Sequence, residues 1–245
     1  MPRILTYNVH RCVGADGILD VDRIADVIAA QAPDIVALQE IDVGRARTGG
    51  VDQAHLLARR LGMAFHFHAA LRMEQEQYGD AVLTALPVAL VKSGALPGHP
   101  RLTRLEARGA LWVEVTVGGV ALQVINTHLG LVPREQWRQA EALAGDAWLG
   151  RAAKIGPTIL LGDFNAGPRS RAYRTIAARL TEARRRASPF RRTPTFPAAL
   201  PLLAIDHVFM SSDIKVESVR TPFDAASRSA SDHRPLVVDF HGPTP

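Results

Sequence analysis

Apolar runs that stop abruptly at short polar clusters constrain this chain more than any other feature. The clearest is Thr158-Ile159-Leu160-Leu161 followed by Gly162-Asp163-Phe164-Asn165. The pattern recurs at Thr6-Tyr7-Asn8, Leu38-Gln39-Glu40, Asn126-Thr127-His128, Ile205-Asp206-His207 and Ser231-Asp232-His233-Arg234-Pro235. In extended geometry residues i and i+2 point to the same side. Asp163 and Asn165 are therefore expected to offer a carboxylate and a carboxamide to one small volume, a donor set that suits a hard cation or a held water. Singly, each cluster has an ordinary reading: a turn-forming Asn, a solvated Glu40, a hydrogen-bonded His128. Recurrence at the ends of buried strands points instead to one shared rim, because strand ends of an α/β sheet gather there.

The runs between these clusters alternate in period. Arg3–Tyr7 and Asp34–Gln39 read as buried strands. Leu19–Gln31 and Asp52–Leu61 carry apolar residues at helical spacing, and Pro33 and Gly62 stop them. Residues 63–68, 80–85 and 88–93 read as strands. Leu111–Val117 and Val120–Asn126 flank Gly118-Gly119, a two-residue hairpin turn. Pro133–Leu149 reads as one long helix and Ser170–Leu180 as another. Ile205–Met210, Ile214–Val219 and Leu236–Phe240 read as closing strands. Hairpins mixed with helices argue against an all-parallel sheet and favour two β-rich halves with helices outside. Nothing resembles a linker or a repeat, so residues 1–245 are expected to form a single domain. The biased segment Arg184–Pro197 reads as a solvated loop, or as one facing substrate because it lies between two polar clusters.

Composition sets outer limits. The 245 residues are 47% hydrophobic, and a chain of this length can bury a large core. The net charge of +5 rests almost wholly on arginine, the only lysines being Lys92, Lys154 and Lys215. Such a balance favours anionic partners without choosing among nucleic acid, phosphorylated metabolites and lipid headgroups. The single Cys12 excludes an internal disulfide and a cysteine-rich zinc site. No run approaches the length of a membrane span, and Pro2-Arg3 leads straight into an apolar strand, so a cytoplasmic protein is expected.

Taken in order, Thr6-Tyr7-Asn8, Gln39-Glu40, Tyr78-Gly79-Asp80, Asn126-Thr127-His128-Leu129, Gly162-Asp163-Phe164-Asn165, Ile205-Asp206-His207 and Ser231-Asp232-His233-Arg234-Pro235 resemble the endonuclease/exonuclease/phosphatase superfamily. This is the fold of deoxyribonuclease I, apurinic endonucleases, neutral sphingomyelinases and inositol polyphosphate 5-phosphatases. The resemblance spans residues 3 to 240. It implies a four-layer α/β/β/α sandwich, two mixed β-sheets flanked by helices, with the site at one edge of both sheets. It also implies a magnesium-dependent phosphoesterase, with manganese as an alternative ion. Glu40 would be the main metal ligand, with Asn8 and Asp232 near the same ion or its waters. Asp163 and Asn165 would orient or deprotonate the attacking water and contact the phosphate. His233 would be a site histidine oriented by Asp206, and His128 the second histidine.

Many family members carry Asn where this chain has Asp80. An acid there resembles the histidine partner of the deoxyribonuclease branch, so an Asp80–His128 hydrogen bond is expected and the reading leans toward a nuclease. The rival substrates are phosphomonoesters and phospholipid or inositol headgroups. A non-catalytic binding protein on the same fold is disfavoured because every site position is filled. Of the flanking arginines, Arg108, just before Gly109-Ala110, has the best claim to reach the site.

Overall fold

The computed structural model describes residues 1–187 and 193–242. In chain order the elements are β1 (Arg3–Asn8), α1 (Val21–Ala29), β2 (Ile35–Val43), α2 (Gln53–Leu61), β3 (Ala64–Met73), β4 (Glu76–Thr84), β5 (Val88–Ala95), β6 (Gly109–Val117) and β7 (Val120–His128). They continue as α3 (Pro133–Ala144), α4 (Leu149–Ile155), β8 (Thr158–Asp163), α5 (Arg171–Ala177), β9 (Thr181–Glu182), β10 (Asp206–Met210), β11 (Lys215–Arg220), α6 (Ala225–Ser229) and β12 (Leu236–His241). The strands form two six-stranded mixed sheets, ordered β11-β12-β1-β2-β4-β3 and β5-β6-β7-β8-β10-β9. β1 and β2 are parallel, as are β7 and β8, while their other neighbours run antiparallel.

Alternation along the strands builds the layers. Ile4, Ile35, Ala37, Leu111, Val113, Ile159, Leu161, Val208 and Val238 point between the sheets into one buried cluster. Their neighbours Leu5, Val36, Leu38 and Val237 face the other way, under α1 and α2. Trp112, Ile125, Leu160 and Phe209 lie in a third cluster with residues of α3, α4 and α5. Both faces of the central strands are apolar because both are covered, which is why they read as continuous apolar runs. The expected four-layer sandwich is the fold observed. No described helix is long and apolar enough to cross a membrane.

Two expectations change. The long helix ends at Ala144: Gly145 turns extended (φ −76°, ψ 177°), and the chain restarts as α4 after Trp148. Leu143, Ala144, Trp148 and Leu149 are all buried, so apolar spacing continues across the break and hides it. In the Arg184–Pro197 segment, Arg184 is buried rather than solvated. Its guanidinium donates to Glu182 Oε1 (2.5 Å), the Thr193 carbonyl (2.8 Å) and the Asp206 carbonyl (3.0 Å), tying the loop to the start of β10. Residues 188–192 of that segment lie outside the described residues.

Candidate active site

The polar clusters meet at the C-terminal ends of β1, β7 and β8, the bulge in β2 and the start of β10. Beneath them a polar seam joins the two sheets. Gln39 donates to Asn126 Oδ1 (2.7 Å) and to Thr6 Oγ1 (3.0 Å), while the Asn126 amide donates to the Leu38 and Ala81 carbonyls (2.8 and 2.9 Å). Gln39 and Asn126 therefore position the site rather than face substrate.

Above the seam the chain bends away from regular strand. β2 carries an extra residue against β4, the register slipping between Leu38 opposite Ala81 and Ile41 opposite Gly79. The bulge places Glu40 in the left-handed region at φ 62°, a conformation that costs a non-glycine residue about 1–3 kcal/mol. At the end of β8, Gly162 has φ 140°, and a Cβ there would lie 1.8 Å from the Thr127 carbonyl oxygen, so only glycine fits. Asp163 and Asn165 do meet, by a route other than strand alternation. The Asn165 N–H donates to Asp163 Oδ1 (2.8 Å) and Asn165 itself is left-handed at φ 49°. This is a side-chain turn, which Asp and Asn favour.

Asp163 is the centre of the arrangement. Its Oδ2 accepts from Asn8 Nδ2 at 2.9 Å and lies 3.5 Å from His128 Nε2 and 3.6 Å from His233 Nε2. Burial raises the pKa of Asp163, and nearby Asp206 raises it further. His233 Nδ1 is hydrogen-bonded to Asp206 Oδ2 at 2.9 Å. Burial alone would depress His233, but the carboxylates of Asp206 and Asp163 outweigh it and lift the imidazolium to about 10. The Ser231 hydroxyl donates to the Asn8 carbonyl (2.8 Å) and accepts from the His233 N–H (3.3 Å), pinning the His233 loop to β1.

His128 is buried in the opposite charge state. Arg108 Nη1 lies 3.0 Å from its Nδ1. A guanidinium only donates, so Nδ1 accepts and the ring proton sits on Nε2, directed at Asp163 Oδ2; the Asn165 NH₂, 3.0 Å from Nε2, is itself a donor and gives its hydrogen to the Leu129 carbonyl (3.0 Å). Burial, Arg108 and His233 together push His128 well below the ordinary histidine range. The expected Asp80–His128 pair is not formed: Arg108 occupies the nitrogen that Asp80 would need. Asp80 is buried on β4 opposite His68, beside the β2 bulge, and burial lifts it to about 8 despite the charge of Arg108. It joins the site through Arg108 electrostatics, not as a histidine partner.

Glu40 is partly exposed and no cation pairs with it among the described residues; Asn8 Nδ2 donates to its Oε1 at 3.1 Å. A carboxylate with no cation partner fits a hard divalent ion, which takes oxygen ligands and keeps several waters of its own. Asn8 turns its NH₂ to Glu40 and Asp163 while its oxygen accepts from the His10 N–H (3.0 Å), so in this arrangement it clamps the two carboxylates together. Asp232 is half-buried, its Oδ1 lying 3.3 Å from the Ser231 hydroxyl oxygen. Asp163, Asp206 and His233 bring three donor atoms within 4.8 Å of one another. A histidine held charged between carboxylates makes a poor ligand there, since ligation needs the neutral ring.

Arg108, singled out among the flanking arginines, does reach the site, whereas two contributors escaped the motif reading: Ser231 lay unremarked within its cluster, and the Phe196 ring lies tilted at 47° to that of His233 with centroids 4.8 Å apart. His207, from the Asp206-His207 pair, is wholly buried against Glu182 and the Ala166 carbonyl and is structural. A cleft of about 610 Å³ lies between α1 and α2 around Asp22, Leu56, Arg59 and Arg60, away from the converging residues.

The chain is 26% identical to the uncharacterized protein YbhP of Escherichia coli K12 over 251 aligned positions, covering 98% of this chain and 96% of that one. A structure described as an endonuclease/exonuclease/phosphatase from Beutenbergia cavernae superposes with a TM-score of 0.75 at 24% identity, over 98% of this chain and 71% of that one. A mannosyl-6-phosphatase from Bacteroides thetaiotaomicron superposes at 0.77 with 17% identity, over 99% of this chain and the whole of that one. The model of the endonuclease/exonuclease/phosphatase family matches residues 5–233, and the chain belongs to that family.

Proposed function

We propose that this protein is a magnesium-dependent phosphoesterase that hydrolyses phosphodiesters. One observation carries the reading: Asn8, His128 and His233 converge on a single oxygen of Asp163, with the two histidines held in opposite charge states. Hydrolysis needs an aligned water, neutralised non-bridging oxygens and a proton for the leaving group. Glu40, with Asp232 nearby, would hold the divalent ion, whose contribution is to neutralise charge on the phosphoryl oxygens.

The protein's own groups divide the remaining work. Asp163 orients the water and takes its proton as the water oxygen bonds to phosphorus. Neutral His128 donates from Nε2 to a phosphoryl oxygen. The bond to the leaving oxygen breaks, and His233 gives that oxygen a proton. The 3.6 Å contact between Asp163 Oδ2 and His233 Nε2 then lets the proton pass back, restoring both groups. Asp206 keeps His233 oriented throughout and favours its recharging once the proton returns.

The nuclease reading rested on an Asp80–His128 pair. Without that pair it keeps only the basic charge. The test is a panel run with and without magnesium: plasmid DNA, an abasic oligonucleotide, bis-nitrophenyl phosphate, a nitrophenyl monoester, inositol phosphates and phospholipids. Metal-dependent cleavage of a diester supports the proposal. Cleavage confined to the monoester would make it a phosphomonoesterase, and no turnover on any arm would leave a binding protein on the same fold.

A further inference from the structure

Beside the His233 wall the chain throws out a loop whose sequence, Ala198-Ala199-Leu200-Pro201-Leu202-Leu203-Ala204, contains no polar side chain. Leu200 is 67% exposed, Leu202 71% and Leu203 51%. The loop is closed on itself. Thr195 and Phe196 donate their N–H groups to the Leu203 carbonyl (2.9 and 3.1 Å), and Leu202 and Leu203 donate theirs to the Phe196 carbonyl (2.9 and 2.8 Å). The tip amides of Leu202 and Leu203 are thus already paired, so moving them out of water would strand neither.

A second apolar tip stands next to it. Phe223 is 71% exposed, and the Arg234 guanidinium lies 4.0 Å beneath its ring. Arg234 ties the two tips together, donating to the Ala198 carbonyl (2.6 Å) and toward the Pro222 carbonyl (3.3 Å). It is fully buried, its Nη2 has no partner, and no carboxylate pairs with it among the described residues. Arg228 on α6 is exposed and likewise without an ion pair among the described residues. The acid on these tips, Asp224, turns back to accept from the Ser227 N–H at 2.7 Å and caps α6. Ile18, also exposed, sits on the adjoining loop, which is joined to α6 by a hydrogen bond from Ala15 N to the Ser229 carbonyl (2.9 Å).

We propose that the 195–204 loop and the Phe223 tip form a surface that docks on an anionic phospholipid bilayer beside the mouth of the candidate site. The Leu200, Leu202 and Phe223 side chains are exposed, the Leu202 and Leu203 amides are paired, and two arginines without an ion pair among the described residues, exposed Arg228 and buried Arg234, stand against the one acid Asp224 on a chain of net charge +5. Apolar side chains flanked by cations insert at the headgroup boundary of anionic lipid. The loop also reaches the chemistry: the Phe196 ring packs at a tilt against that of His233, Ala198 N donates to the Asp232 carbonyl and Arg234 N to the Thr195 carbonyl (2.9 Å). That a docked molecule would act on a headgroup phosphoester rests on the phosphoesterase reading above; the docking itself does not.

The test is co-sedimentation of the whole chain with vesicles of phosphatidylglycerol and phosphatidylcholine, and with phosphatidylcholine alone. The wild type should partition to the anionic vesicles, more weakly at high salt. The Leu200→Ser/Leu202→Ser/Phe223→Ser variant should lose at least about tenfold in partitioning, while its thermal transition and its turnover of a soluble phosphodiester stay unchanged. If the triple variant fails to fold, Leu202→Ser alone is read in the same way, with a smaller loss. Three results would overturn docking: no wild-type binding to anionic vesicles, equal binding by the variants, or a wild-type oligomer that the substitutions dissociate, which would make the tips a protein contact. Soluble turnover is read separately, so a failure of docking and a failure of the phosphoesterase reading cannot be confused.

Discussion

Arg108 and His128 show how one side chain sets the charge of another. The guanidinium lies 3.0 Å from Nδ1, so the ring keeps its proton on Nε2 and resists a second. Arg108→Gln should let the His128 ring titrate closer to the ordinary histidine range, near 6.5. Ring-proton NMR reads this directly, and an unmoved His128 would mean that burial alone sets its state. His233 responds in the opposite sense. Its folded-state pKa is raised to about 10. The resulting stability is therefore fully present below the unfolded value of about 6.5 and is lost as pH rises through about 10. Asp206→Asn should flatten that loss. Denaturant midpoints between pH 7 and 10 should fall less steeply in the variant, and parallel slopes would show that the pair is not an ion pair.

At the scale of elements, the site depends on strands that stop being strands. Gly162 lets β8 pass within contact of β7, and Gly162→Ala should cost several kcal/mol, about 3 or more, because the clash is with backbone that cannot move aside. A denaturant midpoint within error of wild type would refute the close approach. These departures also mark what could be read beforehand. The ends of β1, β7 and β8 were legible because an apolar run followed by Asn, His or Asp is visible in one dimension, and so was the polar start of β10 at Asp206. The β2 bulge was not, since one inserted residue leaves the composition unchanged while turning Glu40 toward the site. The break at Gly145 was hidden by apolar residues on both sides of it. The Asp80–His128 pair failed for a related reason: a partner can be guessed by residue type, but which of two nearby groups reaches the nitrogen is decided by packing. Arg108 reached it.

Across the whole molecule, the proposed function requires two sheets to hold Asn8 and Glu40 from one against His128 and Asp163 from the other. The Gln39–Asn126 seam keeps that registration. Asn126→Leu should cost about 1–3 kcal/mol for the carbonyls and amide left unpaired, and Gln39→Leu a similar amount. The double variant should lose less than the sum, because the two share one hydrogen bond, and strict additivity would argue against a common seam.

The central claim is that Glu40 holds the divalent ion used in phosphodiester hydrolysis. It is tested most directly by turnover of a soluble phosphodiester against magnesium concentration, for wild type and Glu40→Gln. The wild type should be inactive in chelator and recover on adding magnesium. The variant, which keeps the shape but not the charge, should recover little or need at least about tenfold more metal. Wild-type turnover that survives chelation, or a Glu40→Gln variant that matches wild type at low magnesium, would contradict the account.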